Sequence, residues 1–142
     1  MIKKRIMGLD YGSKTIGVAI SDPLNITAQG IETLNINEII KDFKIKKIKE
    51  LIKEYNVGTI VVGMPKNMDN SLGFRAEATL NFIEILKNKI KSVEIVLQDE
   101  RMTTIAAERV LLEADISRKK RKKVVDKIAS VLILQTYLDI KN

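Results

Sequence analysis

Residues 5–21, RIMGLDYGSKTIGVAIS, give the first clear indication of how this chain folds. β-Branched and small apolar residues flank the turn-forming segment at residues 12–14, which predicts two antiparallel strands, residues 5–11 and 15–21, joined as a hairpin. Residues 22–25, DPLN, predict a second turn, because Pro lacks a backbone donor and Asn tolerates tight backbone geometry. With a third strand predicted at residues 27–34, the chain opens as a three-strand meander.

The hydrophobic period changes after the meander. From Asn37, a plausible N-cap, apolar side chains recur at helical spacing, which predicts a helix that ends at Asn56 or Gly58. Residues 59–64 are apolar without alternation, as is typical of a strand buried on both faces. A polar loop then leads to a helix at residues 73–90 and a fifth strand at residues 93–97. A further helix is predicted from Thr103 or Thr104 to residue 113, followed by a basic run and a last helix at residues 124–139.

The predicted order of elements is β-β-β-α-β-α-β-α-α. Alternation of strands and helices after the meander implies parallel strands joined by right-handed crossovers, with helices on both faces of the sheet. This is the element order of the RNase H-like fold, an α/β fold with a central five-stranded mixed sheet. The length of 142 residues, without a repeat or a linker, predicts a single domain over residues 1–142.

The composition excludes several kinds of chemistry, because the sequence contains no Cys and no His. A disulfide, a thiol nucleophile and a thiolate metal site are therefore excluded within these residues. Ser-His-Asp and Cys-His catalysis and histidine-ligated zinc are excluded as well. Carboxylates without these softer ligands favour hard ions such as Mg²⁺ or Mn²⁺.

Positive charge is concentrated in one segment. The 25 Lys and Arg residues exceed the 18 Asp and Glu residues, and six of them form a basic run: Arg118, Lys119, Lys120, Arg121, Lys122 and Lys123. Such a patch is typical of proteins that bind a polyanion, either nucleic acid or an anionic membrane surface, although it also occurs in solvated loops. The membrane is the weaker alternative, since no amphipathic helix pairs the run with exposed bulky apolar residues.

The apolar runs of the sequence and its first residues predict neither a membrane span nor a signal peptide. No apolar stretch is long enough to span a bilayer, and Asp10 interrupts the segment in which a signal peptide needs continuous apolar residues. We therefore expect a soluble cytoplasmic protein without a membrane partner.

Acidic residues follow several of the predicted elements at the edge where α/β sheets bind ligands, outside the carboxyl ends of parallel strands. Asp10 lies near the end of the first strand, Asp99 and Glu100 lie near the end of the fifth, and Asp126 lies in the first turns of the last helix. Clustered carboxylates repel one another unless cations neutralise them, and two metal ions would do so while activating water for phosphodiester cleavage. Each acid also has a structural alternative, as a turn former, as a complement to a helix N-terminus or as an ion-pair partner.

Four blocks of the sequence resemble the YqgF/RuvX family, in order and over essentially the whole chain. They are residues 8–22 (GLDYGSKTIGVAISD), residues 61–71 (VVGMPKNMDNS) with Gly73, Arg75 and Ala76 after them, residues 99–104 (DERMTT), and residues 126–129 with 133–139 (DKIA and ILQTYLD).

The resemblance implies an RNase H-like nuclease, related to the junction resolvase RuvC, that trims the 5′ end of pre-16S ribosomal RNA. Carried over by position, its catalytic and metal-binding residues are Asp10, Glu100 and Asp126, with Mg²⁺ or Mn²⁺ as cofactor and a two-metal-ion mechanism. Asp99 and Glu100 would point to opposite faces of a continuing strand, and Glu100 is our choice. The partner would be a ribosomal RNA precursor, either free or presented by a ribosomal particle. A monomer and a homodimer both remain open.

Candidate substrate contacts surround these acids. Lys66, Asn67, Ser71, Arg75 and Arg101 supply positive charge or hydrogen bonds for phosphate oxygens, and the basic run would guide the nucleic-acid backbone towards Asp126. Loop capping is the structural alternative, with Ser71 as the N-cap of the second helix. The sequence has three Tyr, three Phe and no Trp, so we expect recognition through backbone and shape rather than base stacking.

Three other functions compete with this interpretation. Kinship with RuvC suggests cleavage of Holliday-junction DNA, which resolvases usually perform as symmetric dimers. A phosphotransferase of the actin and sugar-kinase type would need two such domains around the nucleotide. A non-catalytic RNA-binding module would gain nothing from acidic residues that face phosphate.

Overall fold

The computed structural model describes residues 3–65, 73–99 and 118–141 of the chain, and of residues 118–127 only the backbone. Five strands form one sheet in the order β3-β2-β1-β4-β5. The strands β1, β2 and β3 pair antiparallel as a meander, and β4 lies parallel to both β1 and β5. The predicted mixed five-stranded sheet is therefore confirmed. Its strands are β1 (Arg5–Tyr11), β2 (Thr15–Ser21), β3 (Ala28–Asn35), β4 (Val57–Met64) and β5 (Glu94–Asp99).

Within the described residues, three helices cover the two faces of this sheet: α1 (Ile45–Tyr55), α2 (Phe74–Lys89) and α3 (Arg118–Lys141). The α1 and α2 helices pack on one face, over a core that includes Leu9, Ile60 and Val62. The α3 helix packs on the other face, over Ile6, Ala19 and Val61. Helices on both faces were predicted and are observed. The helix predicted between Thr103 or Thr104 and residue 113 lies outside the described residues.

Aromatic rings fill the core beneath α1 and α2. Tyr11 and Phe82 stack with their ring centroids 4.3 Å apart and their planes 4° from parallel, and Phe43 packs against both rings. Tyr11 is the last residue of β1, Phe43 precedes α1, and Phe82 lies in α2. The three rings therefore hold these two helices against the carboxyl end of β1.

The predicted start of the first helix at Asn37 is wrong, because α1 begins at Ile45. The Asn37 side chain accepts the backbone N–H groups of Ile39 and Ile40, so it caps a tight turn rather than a helix. A pair of backbone hydrogen bonds between Asn37 and Asp42 then closes the loop. Ile40, which the helical pattern placed in the core, is exposed.

The last helix is longer than predicted. We expected it to begin after the basic run, at residue 124, whereas α3 already begins at Arg118. The run contains only Lys and Arg, both strong helix formers, and neither Gly nor Pro stands between residues 118 and 141. No helix in the described part of the chain is long and apolar enough to cross a membrane.

Smaller boundaries also differ. Gly73 is the residue that precedes α2, so Ser71 is not the N-cap of this helix.

The turn at residues 22–25 is confirmed, because the Asp22 carboxylate accepts the backbone N–H groups of Leu24, Ile26 and Thr27. These hydrogen bonds lower the pKa of the Asp22 carboxyl group, and the one from Thr27 has the largest effect.

The α3 helix approaches β1 so closely that a glycine is required at the contact. A Cβ atom placed on Gly8 would lie 2.7 Å from the Cβ of Leu134 and 3.0 Å from the backbone oxygen of Ser130. Real Cβ atoms essentially never come as close as the first of these distances. The missing side chain of Gly8 therefore sets how near α3 can lie to the sheet.

Replacing Gly8 with Ala should destabilise the protein by about 1–3 kcal/mol, since the backbone of α3 would have to move away from β1. Thermal unfolding followed by circular dichroism should show a melting temperature several degrees lower. Gly12→Ala is the matched control, because its Cβ would meet its nearest neighbour, the Thr15 oxygen, at 3.4 Å. Equal losses in the two variants would contradict this account of the contact.

Candidate active site

Asp10 lies near the carboxyl end of the central strand, on the face that α3 covers. It pairs across the sheet with Gly17 of β2. A Cβ atom on Gly17 would lie 3.6 Å from the Cβ of Asp10 and 3.3 Å from the hydroxyl oxygen of Ser130. Asp10, Gly17 and Ser130 therefore meet at one point between the sheet and α3.

The direction of α3 brings its beginning towards this point. Leu138 lies beside Ile6 at the amino end of β1, Leu134 lies against Gly8, and Ser130 reaches Gly17. Moving back along α3 therefore moves towards the carboxyl end of β1. Asp126 stands four residues before Ser130, about one helical turn and 6 Å further in that direction.

Asp99 lies on the opposite face of the sheet from Asp10. It is level with Met64 of β4, two residues after the pair formed by Val62 and Leu97. Val62 is buried beneath α1 and α2, and alternate residues of a strand share a face. Of the two acids that end the fifth strand, Asp99 therefore faces the side of α1 and α2, away from Asp10.

Most of the other predicted site residues lie outside the described residues. These are Glu100, Lys66, Asn67, Ser71 and Arg101. For Asp126 and the six residues of the basic run, the description gives a place in the backbone of α3 and nothing of the side chains.

Arg75 is described, and an ion pair holds its guanidinium on the α2 side of the sheet. Its Nη1 lies 3.0 Å from Oε1 of Glu38, and its guanidinium carbon lies 5.3 Å from the centre of the Tyr11 ring. The Tyr11 hydroxyl donates a short hydrogen bond to the same carboxylate. Nη2 of Arg75 is buried and makes no hydrogen bond with the described residues.

The Glu38 carboxylate links these three side chains electrostatically. Partial burial raises the pKa of Glu38, but hydrogen bonds from Tyr11 and Arg75 and the Arg75 charge outweigh it, so the pKa lies below its ordinary value. Burial and the Glu38 carboxylate raise the pKa of the Tyr11 hydroxyl well above its ordinary range. At neutral pH Tyr11 is therefore protonated and Glu38 is ionised.

The surroundings of Asp10 fit a hard metal ion as far as they are described. The donor is a carboxylate oxygen, which Mg²⁺ and Mn²⁺ prefer, and the absent side chain of Gly17 lets Ser130 lie close to it. Among the residues whose side chains are described, no group of three metal-ligating side chains occurs. Asp10 is the single predicted ligand among them, since the other two stand at positions 100 and 126.

Sequence reasoning missed two residues of this region. Ser130 could have been found from the sequence, because it stands one helical turn after Asp126 and so shares its side of the last helix. Glu38 gave no such signal, since it contacts Arg75 and Tyr11 only after the loop at residues 37–42 has folded back.

Two sequence relatives match nearly the full length of the chain. A protein of Staphylococcus haemolyticus named "Putative pre-16S rRNA nuclease" is 58% identical over 139 residues, which cover 98% of each chain. A protein of the same name from Listeria innocua is 59% identical over 138 residues, which cover 97% of this chain and 99% of its own.

Solved structures of resolvases share the fold. T. thermophilus RuvC in complex with a Holliday junction substrate matches with a TM-score of 0.53 and 11% identity, covering 98% of this chain and 96% of that chain. The fowlpox virus Holliday junction resolvase matches with a TM-score of 0.50 and 16% identity, covering 96% of this chain and 99% of that chain. The fold is therefore the predicted RNase H-like α/β fold.

The family assignment rests on the sequence itself. The family model for RuvX, described as Holliday junction resolvase, matches residues 4–140. This match spans the sheet, the helices and all four sequence blocks, and with the two relatives it shows that the chain belongs to the RuvX family.

Proposed function

We propose that this chain is a metal-dependent nuclease that processes the 5′ end of pre-16S ribosomal RNA in the cytoplasm. The names of the Staphylococcus and Listeria relatives support the substrate, because the similarity covers nearly the whole chain. The observation that carries the chemistry is the position of Asp10, a carboxylate near the carboxyl end of the central strand, on the face that α3 covers.

Asp10, Glu100 and Asp126 are the metal ligands in this proposal. The course of α3 supports Asp126, because the helix leads back from Leu138 through Ser130 towards the carboxyl end of β1. The register of β5 supports Glu100, since Asp99 lies on the other face and the next residue of an extended chain would return to the face of Asp10.

Two bound Mg²⁺ or Mn²⁺ ions would activate water and stabilise the leaving oxygen of the phosphodiester. The contribution of the chain is to hold three carboxylates on separate elements at one edge of the sheet. Their mutual repulsion favours cation binding, and Gly17 allows Ser130 of α3 to approach Asp10 closely.

Phosphate contacts complete the proposal. Lys66, Asn67, Ser71 and Arg101 stay our predictions for this role, with the basic run guiding the RNA along the start of α3. Arg75 stays a prediction with them, and its contact with phosphate would be made from the α2 side of the sheet, where the carboxylate of Glu38 and the ring of Tyr11 orient its guanidinium. Orientation before binding reduces the entropy lost when a side chain contacts substrate.

The purified protein should trim a 5′-extended 16S precursor fragment in the presence of Mn²⁺ or Mg²⁺. Asp10→Asn and Glu100→Gln should each lower the rate at least about a hundredfold, because a neutral amide is a poor ligand for a hard cation. Asp99→Asn is the matched control at the same edge and should keep most of the activity, since Asp99 faces away from Asp10. Product formation on denaturing gels measures all four proteins.

An EDTA control and a second substrate make the assay decisive. Trimming that survives EDTA or Asp10→Asn would contradict the proposed metal site, and loss in Asp99→Asn with activity retained in Glu100→Gln would contradict the assignment of Glu100. Cleavage of a Holliday junction but not of the precursor would favour the junction resolvase for which the family model is named.

The Glu38→Gln variant should show how much the ionised Glu38 carboxylate, which contacts Arg75 and Tyr11, contributes to the free energy of unfolding at different pH values. The folded-state pKa of Glu38 is depressed, so its stabilisation is present above the unfolded-state pKa of about 4.3 and is lost as the pH falls through the lower folded-state value. We expect the variant to lose about 1 kcal/mol at pH 7, since both partners are partly exposed. Denaturant unfolding should show this difference shrinking below about pH 4, and a difference that is constant or grows in acid would contradict it.

A further inference from the structure

A second basic surface lies beside the amino ends of the parallel strands, at the opposite end of the sheet from Asp10. A cavity of about 650 Å³ opens there between the ends of α1 and α2 and the beginnings of β1, β4 and β5. Lysine side chains dominate its lining and come from both helices and from the segments before β1 and β5. We call it the lysine cleft, and its basic residues are Lys4, Lys49, Lys53, Lys89 and Lys91.

The charge of the lysine cleft is not neutralised by the part of the chain that is described. No Asp or Glu lines it, and the ion pairs among the described residues involve Lys44, Lys47 and Arg75 instead. Five positive charges around one concavity repel each other and attract an anion, and the low-dielectric wall of a cleft strengthens its field.

One of these lysines is held in place by the fold. Lys4 lies across Gly58, where a Cβ atom would come within 2.8 Å of its Cδ and 2.9 Å of its Cβ. The Lys4 stem therefore packs on the β4 backbone, and Lys4 is part of the lining of the cleft.

Helix stabilisation explains only part of the pattern. Lys53 and Lys89 lie in the last turns of α1 and α2, where a positive charge complements the helix dipole. Lys4 and Lys91 belong to neither helix, and Lys49 stands in the middle of α1. Stabilisation of the helix dipoles therefore does not explain why these three lysines lie around the same cavity.

We propose that the lysine cleft binds the phosphodiester backbone of RNA at a distance from the cleavage site. This inference rests on the proposed function for the identity of the polyanion. Asn56 and Ser92 add polar groups to the lining, which suits phosphate and sugar oxygens. No aromatic side chain lines the cleft, so the contact would be made without base stacking and without sequence preference.

The length of the sheet determines which RNAs could use this site. The cleft lies at the first residue of β4, and the eight residues of this strand span about 23 Å towards the edge where Asp10 lies. A short RNA held at Asp10 would not reach the cleft, whereas a longer structured RNA could contact both edges. The lysine cleft should therefore increase affinity for long substrates and leave short ones unaffected.

The test compares two triple variants that remove the same charge. The cleft variant removes three of the five positive charges by the substitutions Lys49→Gln, Lys89→Gln and Lys91→Gln. Lys3→Gln, Lys87→Gln and Lys141→Gln form the control, because these exposed lysines lie outside the cleft, Lys3 and Lys141 beside Ile6 and Leu138 on the α3 face. Filter binding at several salt concentrations, with a long precursor fragment and a short one, measures affinity. Thermal unfolding of both variants accompanies it.

We expect the cleft variant to bind the long RNA about tenfold more weakly. The slope of log affinity against log salt concentration should become less steep by about 1 for each lysine that contacts phosphate. Its affinity for the short RNA and its cleavage of that RNA should match those of the unmodified chain. Equal losses in the control variant, or a lower melting temperature in the cleft variant without a change in RNA affinity, would overturn the inference. If none of the proteins cleaves RNA, the nuclease proposal fails, while the affinity comparison still decides whether the cleft binds RNA.

Discussion

The close contact between α3 and β1 determines where the elements of the candidate active site lie. Because Gly8 has no side chain, the backbone of Ser130 and the side chain of Leu134 can lie directly on the central strand. The same contact sets the course of α3 along β1, and so carries the beginning of the helix towards Asp10. A structural requirement for a glycine in the sheet thus becomes a requirement of the candidate active site.

The two faces of the sheet hold different side chains. The face of α1 and α2 holds the stacked rings of Tyr11 and Phe82, and it carries Glu38 and Arg75 at its margin. The face of α3 holds Asp10 next to Ser130. A cluster of carboxylates on this face would have an electrostatic cost without its cations.

Patterns in the sequence predicted the mixed five-stranded sheet and the helices on both of its faces, because alternation and apolar runs indicate which residues are buried. They failed where a polar residue had two possible partners. Asn37 could cap a helix or a turn, and the backbone bridge to Asp42 decided for the turn. The basic run could be a loop or a helix, and propensity continued α3 through it. Asp10 was predicted from its place near a strand end, whereas Glu38 depends on contacts that no local pattern shows.

If Asp10 belongs to a metal site between the sheet and the start of α3, the RNA-free protein should bind Mn²⁺ in a calorimetric titration. We expect the affinity to be weakened at least about tenfold in Asp10→Asn and retained in Asp99→Asn. The same Mn²⁺ affinity in all three proteins, or no binding to any of them, would contradict this expectation.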